Sequence, residues 1–237
     1  GEELSVFALC DGENYRILNS AQDHKRIYNG DKGPNTGGMG AYSPTPLSNR
    51  NIIMKTCDKI IQPVLRAMND LGHPYIGFLY VGLMIKDNEP FVIEFNVRMG
   101  DPETQVVIPL LQTSLFELMM FALEKKLDKI DIKLKSGYAV CIVLASEGYP
   151  KSYNKGEEIT GLNSLKDKLV FQAGTMSKEN KIFTNGGRVL NIIGFGQTLE
   201  IAIQDAYESV NKIDFPSKYF RTDIGKKGLK YTKECNQ

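Results

Sequence analysis

Three polar side chains alternate with apolar ones in VIEFNVR, residues 92–98. On a strand successive side chains point to opposite faces, so Phe91, Ile93 and Phe95 are expected on one face and Glu94, Asn96 and Arg98 on the other. A carboxylate and an amide oxygen two residues apart are hard-oxygen ligands suited to Mg2+, which keeps few protein ligands and completes its shell with water and substrate phosphates. A guanidinium one step beyond could meet the same phosphate or a developing oxyanion, and losing such a donor costs about 10²–10³ in rate. Taken alone, E-x-N-x-R is too short to distinguish this chemistry from an ordinary half-exposed strand.

A second passage changes the odds. NGDKGPNTGGMGAYSPTP, residues 29–46, holds five glycines and three prolines, with no large aliphatic side chain except Met39. With no hydrophobic period of either kind it is expected to build no core. Glycines let backbone N–H groups approach an anionic ligand, and TGGMG offers several in succession. The same composition also suits a plain surface loop. Just before it, Asp23, His24, Lys25 and Arg26 place both signs of charge in four consecutive residues, a pattern that most often marks a solvated face.

These residues need elements to hold them. Residues 4 to 10 and 15 to 18 read as strands joined by the turn DGEN, where Asp-Gly supplies positive backbone angles. An irregular segment follows to about residue 47. From Ser48 or Asn49, both good N-caps, Ile53, Cys57, Ile60, Val64, Met68 and Leu71 recur at helical spacing until Gly72, and Pro63 should bend that helix. IGFLYVGLMIK, the turn DNEP and FVIEFNV form a second hairpin. A helix is then expected with Asp101 as N-cap, Pro102 as its first residue and Glu103 at the positive end, followed by another over about 114 to 126. A lysine- and aspartate-rich connector at 127–136 divides the chain into domains at 1–130 and 137–230. Beyond it come GYAVCIVLA, KLVFQAGTM, the turn SKENK, IFTNGGRVLNIIGFG and a helix over 199–211 whose Ala202, Ala206 and Val210 share a face.

Bulk properties narrow the class of partner. The 237 residues are 42% hydrophobic and 24% charged, enough for one large or two modest cores, and disorder is not expected. A net charge of +1 and a pI near 7.8 call for neither nucleic acid nor an anionic membrane surface, so small molecules are the expected partners. Cys10, Cys57, Cys141 and Cys235 are scattered, with no CxxC pair and only His24 and His73 to assist. That argues against a zinc site or a disulfide framework and for reduced thiols in a cytoplasmic protein. No apolar run reaches the length of a membrane span, and no signal-peptide pattern opens the chain. The missing initial methionine and the immediate strand-like start suggest a piece of a longer protein.

Several strings, AQDHKRIYNGDKGPNTGGMGAYSPTP, GFLYVGLMI, VIEFNVRMGDPETQ, QAGT and TNGGRVL, resemble the glycinamide ribonucleotide synthetase (phosphoribosylamine–glycine ligase) family of ATP-grasp enzymes from residue 1 to about 225. The resemblance implies an α+β fold, with an ATP-grasp large subdomain of antiparallel sheet and helices followed by a smaller mixed α/β carboxy-terminal domain. It also implies a reaction of de novo purine synthesis: ATP phosphorylates glycine, and 5-phosphoribosylamine attacks the glycyl phosphate to give glycinamide ribonucleotide, ADP and phosphate. Matched motif by motif, Glu94 and Asn96 become ligands of Mg2+ or Mn2+, and Arg98 steadies phosphate or acyl intermediate. Glu3 falls where such enzymes place a carboxylate on the ATP ribose. Asp23 and Lys25, with Arg26, Gly37, Gly38 and Gly40, fall on the side where glycine and phosphoribosylamine meet, and Arg188 falls either on the ribose phosphate or in a structural role.

Two departures qualify the match. Many ATP-grasp enzymes carry another acidic metal ligand on the preceding strand, where this chain has Gly82. The family's amino-terminal domain and nucleotide lid do not precede Gly1, so the piece alone is expected to be inactive and to need the amino-terminal part of the same enzyme as partner. Two other readings stand beside the ligase: a non-catalytic ATP-grasp-derived binding or assembly module, and a ligase for another carboxylate.

Overall fold

The computed structural model describes residues 1–234, so Cys235 lies outside the described residues. The chain forms two compact units. The first comprises Gly1–Gln22, Pro44–Gly100 and Val107–Ser136; the second comprises Asp23–Ser43, Asp101–Val106 and Gly137–Gln237. With Asp23–Ser43 and Asp101–Val106 included, the second unit is no smaller than the first.

In the first unit a four-stranded antiparallel sheet runs in the order Tyr15–Ile17, Glu2–Asp11, Ile76–Lys86, Glu89–Asn96. The hairpin between the last two turns on Asp87 and Asn88, both with positive φ, which suits the right-handed strand twist of a two-residue connection. In the DGEN turn the Asp11 side chain accepts from the amides of Glu13 and Asn14 at 3.0 and 2.6 Å, and also from Leu127 N–H at 3.1 Å. Burial pushes this carboxyl up, and those donors outweigh it and hold it below the ordinary aspartate range.

One face of the sheet is dry. Leu4, Val6, Ala8 and Cys10 join Leu79, Val81, Leu83 and Ile85 against Ile52, Ile60, Ile61 and Leu65. Those four come from the expected helix, which Asn49 caps by accepting from Ile52 N–H at 2.9 Å. The helix is not continuous: Arg50–Thr56 passes through a π-helical turn, Cys57–Ile61, into Gln62–Asp70. Pro63 has no N–H to give and its ring crowds the preceding turn, and the wider turn just before it relieves that conflict. The buried stripe takes in Ile52, Thr56, Ile60, Ile61 and Leu65, with Ile53 and Val64 packed against it. The extra residue brings in Ile61 and Leu65 beside the expected positions, whereas Leu71, counted by a 3.6-residue period, is 71% exposed. At Gly72 the helix ends in paired bonds, Gly72 N–H to Asn69 O and His73 N–H to Met68 O.

The helix expected from Asp101 is different. Helical structure begins only at Thr104, as a single α-turn, Thr104–Val107, that runs into a 3-10 turn, Ile108–Leu110, and the Asp101 carboxylate is engaged by the side chains of Arg188 and Gln105 instead of capping. Leu115–Leu123 forms as a capped helix on Ser114 and ends before Lys125, which has a positive φ.

The second unit is built on a sheet ordered Leu169–Gln172, Arg188–Gly196, Tyr138–Ser146, Gly40–Ser43, with Gln22–Asp23 at its edge. The helix Leu199–Val210, capped by Thr198, lays Ala202, Ala206 and Val210 on this sheet as their spacing predicts. The approach is close: a Cβ at Gly194 would stand 2.3 Å from Ala206 N. Gly40–Ser43 corrects the expectation that the glycine-rich passage builds no core. All four of its residues are buried, Tyr42 joins the main hydrophobic cluster, and the strand pairs with Tyr138–Ser146 in the register Gly40↔Ile142 to Ser43↔Ala139. Small residues lacking local periodicity are buried here because a distant strand supplies both the hydrogen bonds and the cover.

Cys10 and Cys141 are buried and Cys57 half-buried, all as free thiols; burial first, then Asp11, pushes Cys10 up to about 12. Among the described residues no helix is long and apolar enough to cross a membrane.

Candidate active site

On the first unit, strand pairing sets three rows across the second sheet face: Glu3–Met84–Phe91, Ser5–Gly82–Glu94 and Phe7–Tyr80–Asn96. Directly paired residues point to the same side, so Glu3, Glu94 and Asn96 share a face. Strict alternation fails on one point. Gly82 pairs with Glu94 and Leu83 with Val92, leaving Ile93 as an extra residue in a bulge, so Phe91 stands on the same face as Glu94 instead of opposite it.

The polar groups touch in series. Asn96 Nδ2 donates to Glu94 Oε1 at 3.0 Å, Arg98 Nη2 reaches Asn96 Oδ1 at 3.5 Å, and Arg98 Nη1 donates to Met99 O at 3.0 Å. Arg98 lies past the strand end at Asn96, and its guanidinium folds back to the amide. Gly82 leaves room for the carboxylate, since a Cβ there would stand 3.2 Å from Glu94 Cγ. Deeper on the same face Ser5 Oγ and Tyr80 Oη share a hydrogen bond at 3.0 Å, and Phe7 meets Tyr80 edge-on.

An exposed carboxylate oxygen and an amide oxygen two residues apart are the donor set a hard divalent cation takes when water and phosphate complete its shell. Glu94 and Asn96 therefore fit a Mg2+ or Mn2+ ion. Among the described residues no group of three or more His, Cys, Asp or Glu could hold a metal by itself.

The other expected residues, Asp23, Lys25, Arg26, Gly37, Gly38, Gly40 and Arg188, belong to the second unit. Lys25 pairs with the mostly buried Asp23 at 3.3 Å, and Arg26 Nη1 donates to Gly33 O at 2.7 Å. The backbone donors expected to await an anion are largely engaged internally. Gly37 N–H donates to Tyr149 Oη at 2.9 Å, Gly38 N–H to Thr36 Oγ1 at 2.9 Å, and Met39 N–H to His24 O at 2.9 Å. The glycines serve close approach: a Cβ at Gly37 would stand 2.9 Å from the Arg188 guanidinium carbon, and one at Gly38, with φ +109°, 2.4 Å from Pro102 Cδ. Arg188 Nη1 donates to Gly37 O at 2.6 Å and Asp101 O at 2.9 Å, while its Nη2 donates to Asp101 Oδ2 at 2.9 Å.

Sequence reasoning missed three groups in this unit. Asp101 holds Arg188, and Arg221 is a fully buried guanidinium. His24 is buried, with neither ring nitrogen hydrogen-bonded among the described residues. Burial drives its pKa down to about 4, Arg221 and Lys227 add to the drop, and Asp31 and Asp223 oppose it. The charge run around His24 was visible in the chain, but nothing local distinguishes a solvated histidine from this one.

Comparison with known proteins agrees with the motifs. Residues 1–104 match the family described as Phosphoribosylglycinamide synthetase, ATP-grasp (A) domain, and residues 139–227 match Phosphoribosylglycinamide synthetase, C domain. A phosphoribosylamine–glycine ligase from Synechocystis sp. is 49% identical over 233 residues, covering 97% of this chain and 56% of the relative. The crystal structure of a phosphoribosylamine–glycine ligase from Thermotoga maritima aligns with a TM-score of 0.86 at 39% identity, over 94% of this chain and 56% of that one. The biotin carboxylase domain of a Hydrogenobacter thermophilus 2-oxoglutarate carboxylase, solved with Mg-ADP, ADP and bicarbonate, aligns with a TM-score of 0.60 at 13% identity, over 97% of this chain and 53% of that one, a likeness of fold alone. The chain spans about half the length of the curated relatives it matches.

Proposed function

This chain belongs to the phosphoribosylglycinamide synthetase family, and on that premise we propose that it carries the catalytic ATP-grasp face and carboxy-terminal region of a phosphoribosylamine–glycine ligase. The reaction joins glycine to 5-phosphoribosylamine at the expense of ATP. A free carboxylate is a poor acyl donor because its leaving group would be oxide, so phosphorylation to glycyl phosphate precedes attack by the amine. Phosphate then leaves, and no covalent enzyme nucleophile is needed.

Glu94, through its carboxylate, and Asn96, through its amide oxygen, would hold Mg2+ or Mn2+. When bound, such an ion would supply charge neutralisation at the transferring phosphoryl group. Arg98 keeps N–H donors beyond its bonds to Met99 and Asn96, and these serve the phosphate or the acyl phosphate. Glu3, on the same face, accepts from the ATP ribose. On the second unit Asp23, Lys25 and Arg26, with the segment through Gly37, Gly38 and Gly40, attend glycine and the phosphoribosylamine. For Arg188, bonds to two loop carbonyls and Asp101 support shaping of that segment over contact with the ribose phosphate. We place the enzyme in the cytoplasm, with small-molecule substrates, the amino-terminal part of the same enzyme as its protein partner, and neither nucleic acid nor membrane as partner.

The observation that carries this reading is the hydrogen-bonded series Glu94–Asn96–Arg98 on the face shared with Glu3 and opened by Gly82. ADP release by the complete enzyme, measured with glycine and phosphoribosylamine each omitted in turn, tests it. Release that requires both supports the ligase. No release points to a non-catalytic module, and release with another carboxylic acid points to a different ligase.

A further inference from the structure

Arg221 has no exposed surface, yet its guanidinium makes four hydrogen bonds. Nε and Nη2 donate to the two carboxylate oxygens of Asp223, each at 2.8 Å. Nη1 donates to Arg26 O at 2.9 Å and to Asp31 Oδ1 at 3.0 Å. Those last two acceptors lie on the two-stranded hairpin Arg26–Tyr28, Lys32–Asn35 or its turn.

Neighbouring bonds repeat the link. Asp223 Oδ2 accepts from Gly30 N–H at 2.8 Å. Asn29 Nδ2 donates to Thr222 Oγ1 at 2.7 Å and Thr222 N–H returns to Asn29 Oδ1 at 3.0 Å. Tyr219 Oη donates to Ile27 O at 2.9 Å, and Lys227 pairs with Asp31. The hairpin is thus held at residues 26, 27, 29, 30 and 31 by a segment running from 219 to 227.

A buried ion pair is weak support for stability, because desolvation offsets much of its attraction and apolar replacements often serve as well. What a fixed guanidinium fork supplies is direction. A two-stranded hairpin with an irregular register is marginal by itself and would otherwise sample many orientations. Lys25 and Arg26 stand at its base, where Lys25 O accepts from Thr36 N–H at 2.8 Å, so the set of the hairpin is the set of both cations.

We propose that Arg221 is a positioning residue whose clasp on the 26–35 hairpin holds Lys25 and Arg26 in one geometry for the phosphate-bearing amine substrate. This rests on the ligase reading above. Its test uses the complete enzyme with Arg221→Lys, which keeps the charge but cannot span three acceptor groups, and Thr222→Val, which removes an exposed link of the clasp without burying an unpaired charge. The expected result is a KM for phosphoribosylamine raised about tenfold in the first and about threefold in the second, with kcat and the KM for ATP within about twofold of wild type. Unchanged KM for the amine in both variants, even with a lowered melting midpoint, overturns the proposal and leaves Arg221 a stabilising residue. If the wild-type enzyme shows no amine-dependent turnover, the ligase reading fails, and amide exchange decides the clasp. Faster exchange confined to residues 26–39 in Thr222→Val then supports it, and unaltered exchange there rejects it.

Discussion

Gly82 stands directly across from Glu94 on adjacent antiparallel strands, so close that a Cβ at Gly82 would come within 3.2 Å of Glu94 Cγ. Gly82→Val should cost some stability, because a Cβ there would also come within 3.2 Å of the buried Tyr80 ring, while the exposed Glu94 side chain can swing aside. Swinging aside moves the proposed metal ligand, so the metal concentration for half-maximal ATP use should rise about tenfold or more. A metal titration identical to wild type would mean that Glu94 holds no ion.

Glu94→Gln removes the charge and keeps the shape. Since Glu94 is exposed and bonds only Asn96 among the described residues, the urea midpoint should stay within experimental error while Mg-ATP use weakens sharply. Unfolding at much lower urea, with ATP turnover retained, would make Glu94 a structural residue.

Arg188→Met strips partners from three backbone carbonyls and from the Asp101 carboxylate. Hydrogen bonds to charged groups contribute about 1.5–3 kcal/mol, and partial exposure of this site argues for the lower part of that range in urea unfolding. Unaltered stability together with lost affinity for the phosphorylated substrate would instead place Arg188 on the ribose phosphate.

His24 makes stability depend on pH. Its folded pKa, about 4, lies below the ordinary 6.5, so between those values the unfolded chain binds the extra proton. Stability should be complete above pH 6.5, fall as pH drops toward 4, and lose on the order of 3 kcal/mol across that window. The carboxyls of Asp11, Asp31 and Asp223, held below their ordinary value, keep their contribution until lower pH. In His24→Leu the urea midpoint should change much less between pH 6.5 and 4.5, and a slope equal to wild type would show that another group titrates.

Elements coded by neighbouring residues were legible. Asn49 caps its helix, Gly72 stops it, and Glu179 and Asn180 take the positive φ that the SKENK turn requires. Ala202, Ala206 and Val210 fall on the buried stripe that their spacing marks. Features that a single inserted residue can shift were less so. The π-turn before Pro63 and the bulge at Ile93 each moved a face that strict periodicity had assigned.

The order of amino acids alone determined the short-range grammar: which stretches pair as hairpins, which coil, and that an acid, an amide and a guanidinium recur at every second position, because backbone preference and side-chain alternation act over a few residues. Only the folded chain decided that GAYS lies buried beside Tyr138–Ser146, that Asp101 binds Arg188 and that Arg221 grips a hairpin some 190 residues earlier. Those outcomes depend on groups far apart in the chain, and a polar residue carries no local sign of which distant partner will take it out of water.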